Sequence, residues 1–167
     1  MHDAYCIANY GTDRYGNSNP VYMINYGGGQ SALYTYLAAI LIKVFGYSLT
    51  VIRIPALVFS IIYLIFAFLI TRDFKNKKLA VLVELIAVIV PWHFMQSRWG
   101  LDCNLMSAMV LVSLYVLLRA KTKKAYVLAG VLFGLSFYAY ALSYITIPII
   151  IVLLIAYLLY IKKRYWT

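Results

Sequence analysis

The sequence has few charged residues and very few acidic ones. Charged side chains make up 12% of its 167 residues and hydrophobic ones 65%, whereas soluble domains carry about 25% charged residues. Only five residues are acidic, and the formal net charge is +10. So little polar surface cannot enclose a water-soluble core, and the composition therefore predicts an integral membrane protein.

The sequence also lacks the features of two other protein classes. Its two cysteines, Cys6 and Cys103, fit neither a disulfide scaffold nor a cysteine-based metal site. The first 29 residues are rich in Tyr, Asn and Gly and contain no apolar core of a cleavable signal sequence. A small secreted scaffold and a simple signal-directed protein are therefore both disfavoured.

Most of the basic residues lie in short clusters between apolar runs. Nucleic-acid binding would require them on one solvated face, so this distribution argues against a nucleic-acid partner. It is typical of cytoplasmic loops under the positive-inside rule. The clusters are Arg72, Lys75, Lys77 and Lys78; Arg119, Lys121, Lys123 and Lys124; and Lys162, Lys163 and Arg164.

Five apolar runs predict spanning helices, because about 20 apolar residues cross the bilayer core. With the basic clusters in the cytoplasm, the 96–104 loop and the 143–144 turn lie outside and residues 162–167 form a cytoplasmic tail. The chain is therefore expected to be a multi-pass protein of the cell membrane. The predicted spans are 49–71, 79–95, 103–119, 125–142 and 145–161.

The segment 31–46 has two interpretations. As a helix, residues 31–45 would reach only ~22 Å, short of the ~30 Å bilayer core. Either it crosses as a short membrane helix, or it lies along the surface as an interfacial helix, which we favour. The surface arrangement makes residues 1–30 extracytoplasmic, and their many tyrosines predict an ordered loop rather than a disordered tail.

Three stretches carry a resemblance to a known family. The first is Asp3-Ala4-Tyr5 with Gly11-Thr12-Asp13-Arg14-Tyr15-Gly16-Asn17, the second runs from Gln30-Ser31-Ala32-Leu33-Tyr34 to Arg53, and the third joins Pro91 to Ser97-Arg98 and Leu101-Asp102. They resemble the first loop, the surface helix and the second active-site loop of GT-C superfamily glycosyltransferases. The similarity is to the group that includes protein O-mannosyltransferases and lipid A aminoarabinose transferases.

The resemblance implies both a fold and an activity. The fold is an all-α membrane protein, a GT-C-like helical bundle of about five transmembrane helices plus one interfacial helix. The activity is transfer of a sugar from a polyprenyl-phosphate-linked donor to an acceptor hydroxyl on the extracytoplasmic side. Membrane lipids are the other expected partners. The sugar and the acceptor are not identified, and a divalent cation is a candidate cofactor.

One part of the family pattern is missing from these residues. The resemblance implies an Asp-Glu pair that supplies the catalytic base, and the sequence contains no such pair. The main base is therefore expected upstream of Met1. We accordingly expect the chain to be a fragment, or a product translated from an internal start, that is inactive by itself.

Four residues near the second and third stretches are candidates for the site. Asp102 is a supporting carboxylate for the acceptor, a cation or the donor sugar, or else an N-cap of the next helix. Arg98 either holds the donor phosphate in a bidentate contact or pairs with Asp102 or lipid head groups. Arg53 and Lys43 can reach phosphates of the donor or of ordinary lipid.

The first loop supplies three further candidates. By resemblance, Asp3, Asp13 and Arg14 belong to a site loop, whereas their local sequence equally suits turn-forming or solvated residues. Glu84 lies within a predicted span, where an acid is a functional candidate by default. It is the coupling acid in the alternative hypothesis of a transporter, or else it is protonated and bonded to a neighbouring helix, or it faces the cytoplasm near the first basic cluster. A non-catalytic membrane assembly subunit is a further hypothesis. His93 is interpreted as interfacial packing.

Overall fold

The computed structural model describes residues 2–25 and 28–166. It is mostly helical, as an all-α prediction expects, and it adds one antiparallel two-stranded hairpin. In chain order the elements are α1 (His2–Tyr10), β1 (Tyr22–Asn25), β2 (Gly28–Ser31), α2 (Ala32–Phe45), α3 (Leu49–Phe74), α4 (Lys77–Ile89), α5 (Pro91–Arg98), α6 (Cys103–Arg119), α7 (Lys123–Ser136) and α8 (Ser143–Trp166).

The N-terminal segment is more regular than the polar loop predicted for residues 1–30. It contains α1 and a hairpin in which Tyr22 pairs with Ser31 and Met23 with Gln30. Met23 is only 1% exposed, so it anchors the hairpin to the rest of the chain. The ring of Tyr22 occupies the space that a side chain at position 29 would fill, so only glycine fits there.

Helices α2 and α3 follow one another through a short connection. Gly46, with a φ of 79°, ends α2 in a conformation that glycine adopts without strain. Ser48 then starts α3, because its side chain accepts a hydrogen bond from the backbone N–H of Val51. The phenol of Tyr34 donates to the carbonyl of Ile52 at 2.7 Å and joins the two helices near their N-terminal ends.

The helix predicted over 79–95 is divided into two. Helix α4 ends at Ile89, and α5 begins at Pro91 with a bend of 63° between the two axes. The residue before a proline avoids the helical region, and Val90 accordingly has a ψ of 122°. The proline therefore redirects the chain toward the start of α6.

The helix predicted over 125–142 ends earlier, at Ser136. Tight turns follow, and within them the carbonyl of Tyr138 accepts a hydrogen bond of 3.2 Å from the N–H of Leu33, at the start of α2. Ala139 and Ser143 are fully buried beside this junction. Helix α8 then begins at Ser143, two positions before its predicted start.

By length and composition, α3 is the one described helix that could cross a membrane alone, and the bent pair α4 and α5 would be a second candidate. The other apolar helices identified are shorter: Ala32–Phe45, Cys103–Arg119 and Ser143–Tyr157. Large apolar side chains remain exposed on the helices, with Ile89 at 75% and Val152 at 63%. The predicted number of five spans therefore stays a prediction.

Candidate functional site

Asp102 joins two parts of the chain at one end of the bundle. Its Oδ2 accepts a hydrogen bond of 3.0 Å from the N–H of Ser31, and its Oδ1 accepts one of 3.0 Å from the N–H of Cys103. The side chain therefore holds the end of the hairpin against the start of α6. Burial raises the pKa of the Asp102 carboxyl, while the backbone hydrogen bonds act in the opposite direction.

The N-cap interpretation of Asp102 agrees with this geometry, since the residue precedes α6 and accepts from its first N–H. The pairing with Arg98 that the sequence allowed is not among the ion pairs of the described residues. Asp102 is 9% exposed. Its carboxylate is thus engaged with backbone groups and leaves Arg98 available for another anion.

Arg53 and Arg98 line one groove. The groove has a volume of about 320 Å³, and its two cationic side chains come from the start of α3 and the end of α5. Both side chains are exposed. The Arg98 guanidinium lies 4.7 Å from the centre of the Phe94 ring. The remaining wall of the groove consists of Leu49, Ile52, Trp99, Gly100 and Leu101.

Neither arginine of this groove forms an ion pair with another residue that the structure describes. A guanidinium presents a rigid fork of N–H donors that matches the oxygen atoms of a phosphate. Two of them on one partly apolar groove form a positively charged site. The arrangement suits an anionic head group attached to an apolar chain.

A second cavity, of about 150 Å³, shares Gly100 and Leu101 with this groove. Its other walls come from α1, β2 and α2, so the 100–101 backbone separates the two spaces. This cavity places the N-terminal segment beside the loop that carries Arg98 and Asp102. The remaining lining residues are Ala4, Gln30, Tyr34, Thr35 and Ala38.

Lys43 does not line the groove. It lies in the last turn of α2 and is exposed. The structure therefore brings Arg53 and Arg98 together in one groove, and Lys43 lies outside it. Asp102 is next in the chain to Leu101, which lines the groove.

The three candidates of the first loop bind one another or their own backbone. Arg14 donates to both carboxylate oxygens of Asp3, at 2.9 and 2.7 Å. Asp3 is 3% exposed, and the hydrogen bond from Arg14 lowers the pKa of its carboxyl. Asp13 accepts from the N–H groups of Tyr15 and Asn17, and the side chain of Asn17 lowers its pKa. The turn-forming interpretation fits Asp13 and Arg14, because the N–H of Gly16 donates to the carbonyl of Asp13. Asp3 instead lies in α1 and is buried.

Sequence reasoning missed Asn104. Its side-chain amide donates to the carbonyls of Gln96 and Trp99, at 2.7 and 2.6 Å, and so fixes the loop that presents Arg98. An asparagine at the start of an otherwise apolar helix was the available signal. His93, interpreted as interfacial packing, also has a polar partner, since its Nε2 lies 2.9 Å from the Oγ of Ser60.

Within residues 2–25 and 28–166, no group of three or more His, Cys, Asp or Glu side chains could hold a metal ion.

One comparison with known proteins gives a match. The model of a family described as dolichyl-phosphate-mannose-protein mannosyltransferase matches residues 30–166. No curated protein and no solved structure matches the chain. The matched part contains Arg53, Arg98 and Asp102, whereas Asp3, Asp13 and Arg14 precede it.

Proposed function

The chain belongs to the dolichyl-phosphate-mannose-protein mannosyltransferase family, and from this premise we propose that its groove between α3 and α5 holds the phosphate of a polyprenyl-phosphate-linked sugar donor. The family implies glycosyltransferase activity. We further propose that the transfer takes place at the extracytoplasmic membrane surface. The acceptor is a hydroxyl group.

The observation that carries this proposal is the joint exposure of Arg53 and Arg98 in one groove. In glycosyl transfer the acceptor oxygen attacks the anomeric carbon, and the bond from that carbon to the phosphate oxygen breaks. Negative charge therefore grows on the departing lipid phosphate. Cationic groups already fixed near that position stabilise the transition state more than the ground state.

The apolar part of the groove supports a lipid donor over a nucleotide one. Leu49, Ile52 and Leu101 supply aliphatic surface beside the two arginines, and Trp99 adds an aromatic ring. Tryptophan favours the boundary between lipid and water. A polyprenyl chain can lie against this surface while its phosphate remains at the guanidinium groups.

Asp102 has a supporting role in this proposal. Its two backbone hydrogen bonds hold the hairpin to α6, and so position the 99–101 loop that forms part of the groove. The acceptor proton requires a separate base, and the sequence contains no Asp-Glu pair. We therefore propose that this chain alone binds the donor without completing the transfer.

The position of α2 supports the surface arrangement. Its first turn follows Ser31, which is bound to Asp102, and its last turn leads within three residues into the start of α3. Tyr47 in that connection also contacts Tyr5 of α1, with ring centres 5.4 Å apart. Both ends of α2 therefore lie near the groove, as expected for an interfacial helix. We propose that the helices after it form the five predicted spans.

Donor binding tests this function. A fluorescent polyprenyl-phosphate mannose should bind the purified chain in detergent, and Arg53→Gln with Arg98→Gln should weaken binding by about 10-fold or more, since hydrogen bonds to charged groups are worth about 1.5–3 kcal/mol each. Lys43→Gln is the matched control, because it removes one cation outside the groove. Equal loss in the control, or undiminished binding by the double variant, would refute the assignment.

One observation favours the alternative of a transporter. The Oε2 of Glu84 in α4 is the buried side-chain polar atom without a hydrogen-bond partner among the described residues. An acid within a membrane is a candidate for proton coupling, and α4 belongs to the bent pair. Glu84→Gln should leave donor binding intact if the transferase proposal holds. Proton-coupled sugar uptake into vesicles that this change abolishes would favour the alternative.

A further inference from the structure

The opposite end of the bundle contains a second charged site, built where α3 and α6 end. The carboxylate of Asp73 forms one ion pair with Arg119, at 2.7 Å, and another with Arg72, at 3.0 Å. The pair with Arg119 links the ends of the two helices. The hydrogen bond from Arg119 is the main cause of the lowered pKa of Asp73. The Asp73 carboxylate is therefore ionised at neutral pH, and the two guanidinium groups share it.

Short loops bring further cations to this pair. Only residues 75–76 separate α3 from α4, and only residues 120–122 separate α6 from α7. The lysines of both loops and of both following helix starts are exposed. We call this group the basic end, and Asp73 is the only acidic residue in it. Its cations are Arg72, Lys75, Lys77, Lys78, Arg119, Lys121, Lys123 and Lys124.

Lysines occupy the N-terminal ends of α4 and α7, where the helix dipole makes a positive charge unfavourable. Helix α4 begins with Lys77 and Lys78, helix α7 begins with Lys123 and Lys124, and neither has an acid in its first turn. The N-terminus of a helix carries a partial positive charge, so cations there are unfavourable. The basic end therefore has a positive potential that a bound anion would relieve.

An apolar pocket opens beside these charges. It has a volume of about 200 Å³, and Asp73 and Arg119 form its polar side. Phe74 in its wall is 54% exposed and Leu118 is 39% exposed. A hydrophilic anion would not be stabilised by contact with this apolar surface, whereas the acyl chain of a lipid would be. The other apolar lining residues are Ile70 and Tyr115.

We propose that the basic end is a binding site for an anionic phospholipid of the cytoplasmic leaflet. The head-group phosphate binds the lysines at the starts of α4 and α7, and an acyl chain lies against Phe74 and Leu118. The proposal rests on the membrane location proposed above and is independent of donor binding. Each Lys or Arg near an anionic membrane surface raises the binding affinity by about fivefold, so the four lysines together favour an anionic lipid over a neutral one.

Thermal unfolding in detergent, with lipid added, tests the proposal. Phosphatidylglycerol should raise the Tm of the chain, while phosphatidylcholine and inorganic phosphate at matched ionic strength should not. A variant with Lys77→Gln, Lys78→Gln, Lys123→Gln and Lys124→Gln should lose this rise and bind phosphatidylglycerol at least ~10-fold more weakly. The same four positions changed to Arg form the matched control and should keep the rise.

The variants also separate ligand binding from a merely structural role. Without lipid, the Gln variant should be as stable as the parent chain or more so, because it loses charges that oppose the helix dipoles. Native mass spectrometry of the unmodified chain should show retained phosphatidylglycerol, which keeps the test valid if a variant fails to fold. An equal Tm rise with phosphatidylcholine or with inorganic phosphate would overturn the proposal. Carbonate extraction reports membrane integration separately.

Discussion

Replacing Asp102 should open the junction between the hairpin and α6. Each carboxylate oxygen accepts one backbone N–H, that of Ser31 and that of Cys103, both at 3.0 Å. The side chain is 9% exposed, so water can replace it only in part. Asp102→Ala removes both acceptors. Asp102→Asn keeps one oxygen and turns an NH₂ group toward the other donor.

The size of the effect follows from the two hydrogen bonds. A buried donor left without a partner costs about 1–3 kcal/mol, and loss of an N-cap costs about 0.5–2 kcal/mol. Asp102→Ala should therefore destabilise the junction by about 2–4 kcal/mol. At about 1.4 kcal/mol per factor of ten, local opening becomes roughly 30- to 1000-fold more frequent. Asp102→Asn should cause about half of this free-energy change.

Hydrogen exchange measured by mass spectrometry can detect this opening. Amides at the ends of β2 and at the start of α6 should exchange faster in Asp102→Ala, while the middle of α3 should not change. Asp73→Asn is a suitable control, because Asp73 pairs with Arg119 at the other end of the bundle. Unchanged exchange at Ser31 and Cys103 would refute the reasoning, as would equal acceleration throughout the chain.

Three further predictions concern acid stability, topology and activity. Because Arg14 lowers the pKa of Asp3, their pair stabilises the fold above the ordinary pKa of an aspartate and is lost as the pH falls through the lowered value. Asp3→Asn should remove that part of the acid dependence in a pH series of Tm, and an unchanged pH profile would contradict the pairing. A cysteine at Asn17 should react with a membrane-impermeant thiol reagent on intact cells, and labelling only after permeabilisation would contradict the surface position of α2. The purified chain should transfer no mannose from a polyprenyl-phosphate donor, and measurable transfer would refute the proposal that this chain alone does not complete the reaction.

The sequence predicts the helices better than the junctions between them. Apolar length and the glycine at position 46 correctly locate α2, and α3 starts at the predicted residue. The division at Val90 was missed by the predicted span 79–95, although Pro91 disfavours a helical residue before it. The end of α7 was not readable, since the carbonyl of Tyr138 accepts from Leu33, a partner more than a hundred residues away.

The same contrast holds for the candidate site, where the sequence identifies single residues but not the contacts between them. Arg53 and Arg98 were identifiable because they lie in the second and third stretches that resemble the family. That Arg98 lines the same groove as Arg53 depends on the bend between α4 and α5. The partner of Asp102 was not identifiable, because Ser31 contributes a backbone N–H, which every residue except proline has.

Photo-crosslinking of a lipid donor tests the central claim most directly. A polyprenyl-phosphate mannose with a diazirine close to its phosphate would be irradiated with the membrane-embedded chain, and the adducts would be mapped by mass spectrometry. The account predicts adducts in the peptides that carry Leu49 to Arg53 and Arg98 to Leu101, with competition by unlabelled donor and loss in the Arg53→Gln, Arg98→Gln variant. Competable adducts confined to other helices would contradict it.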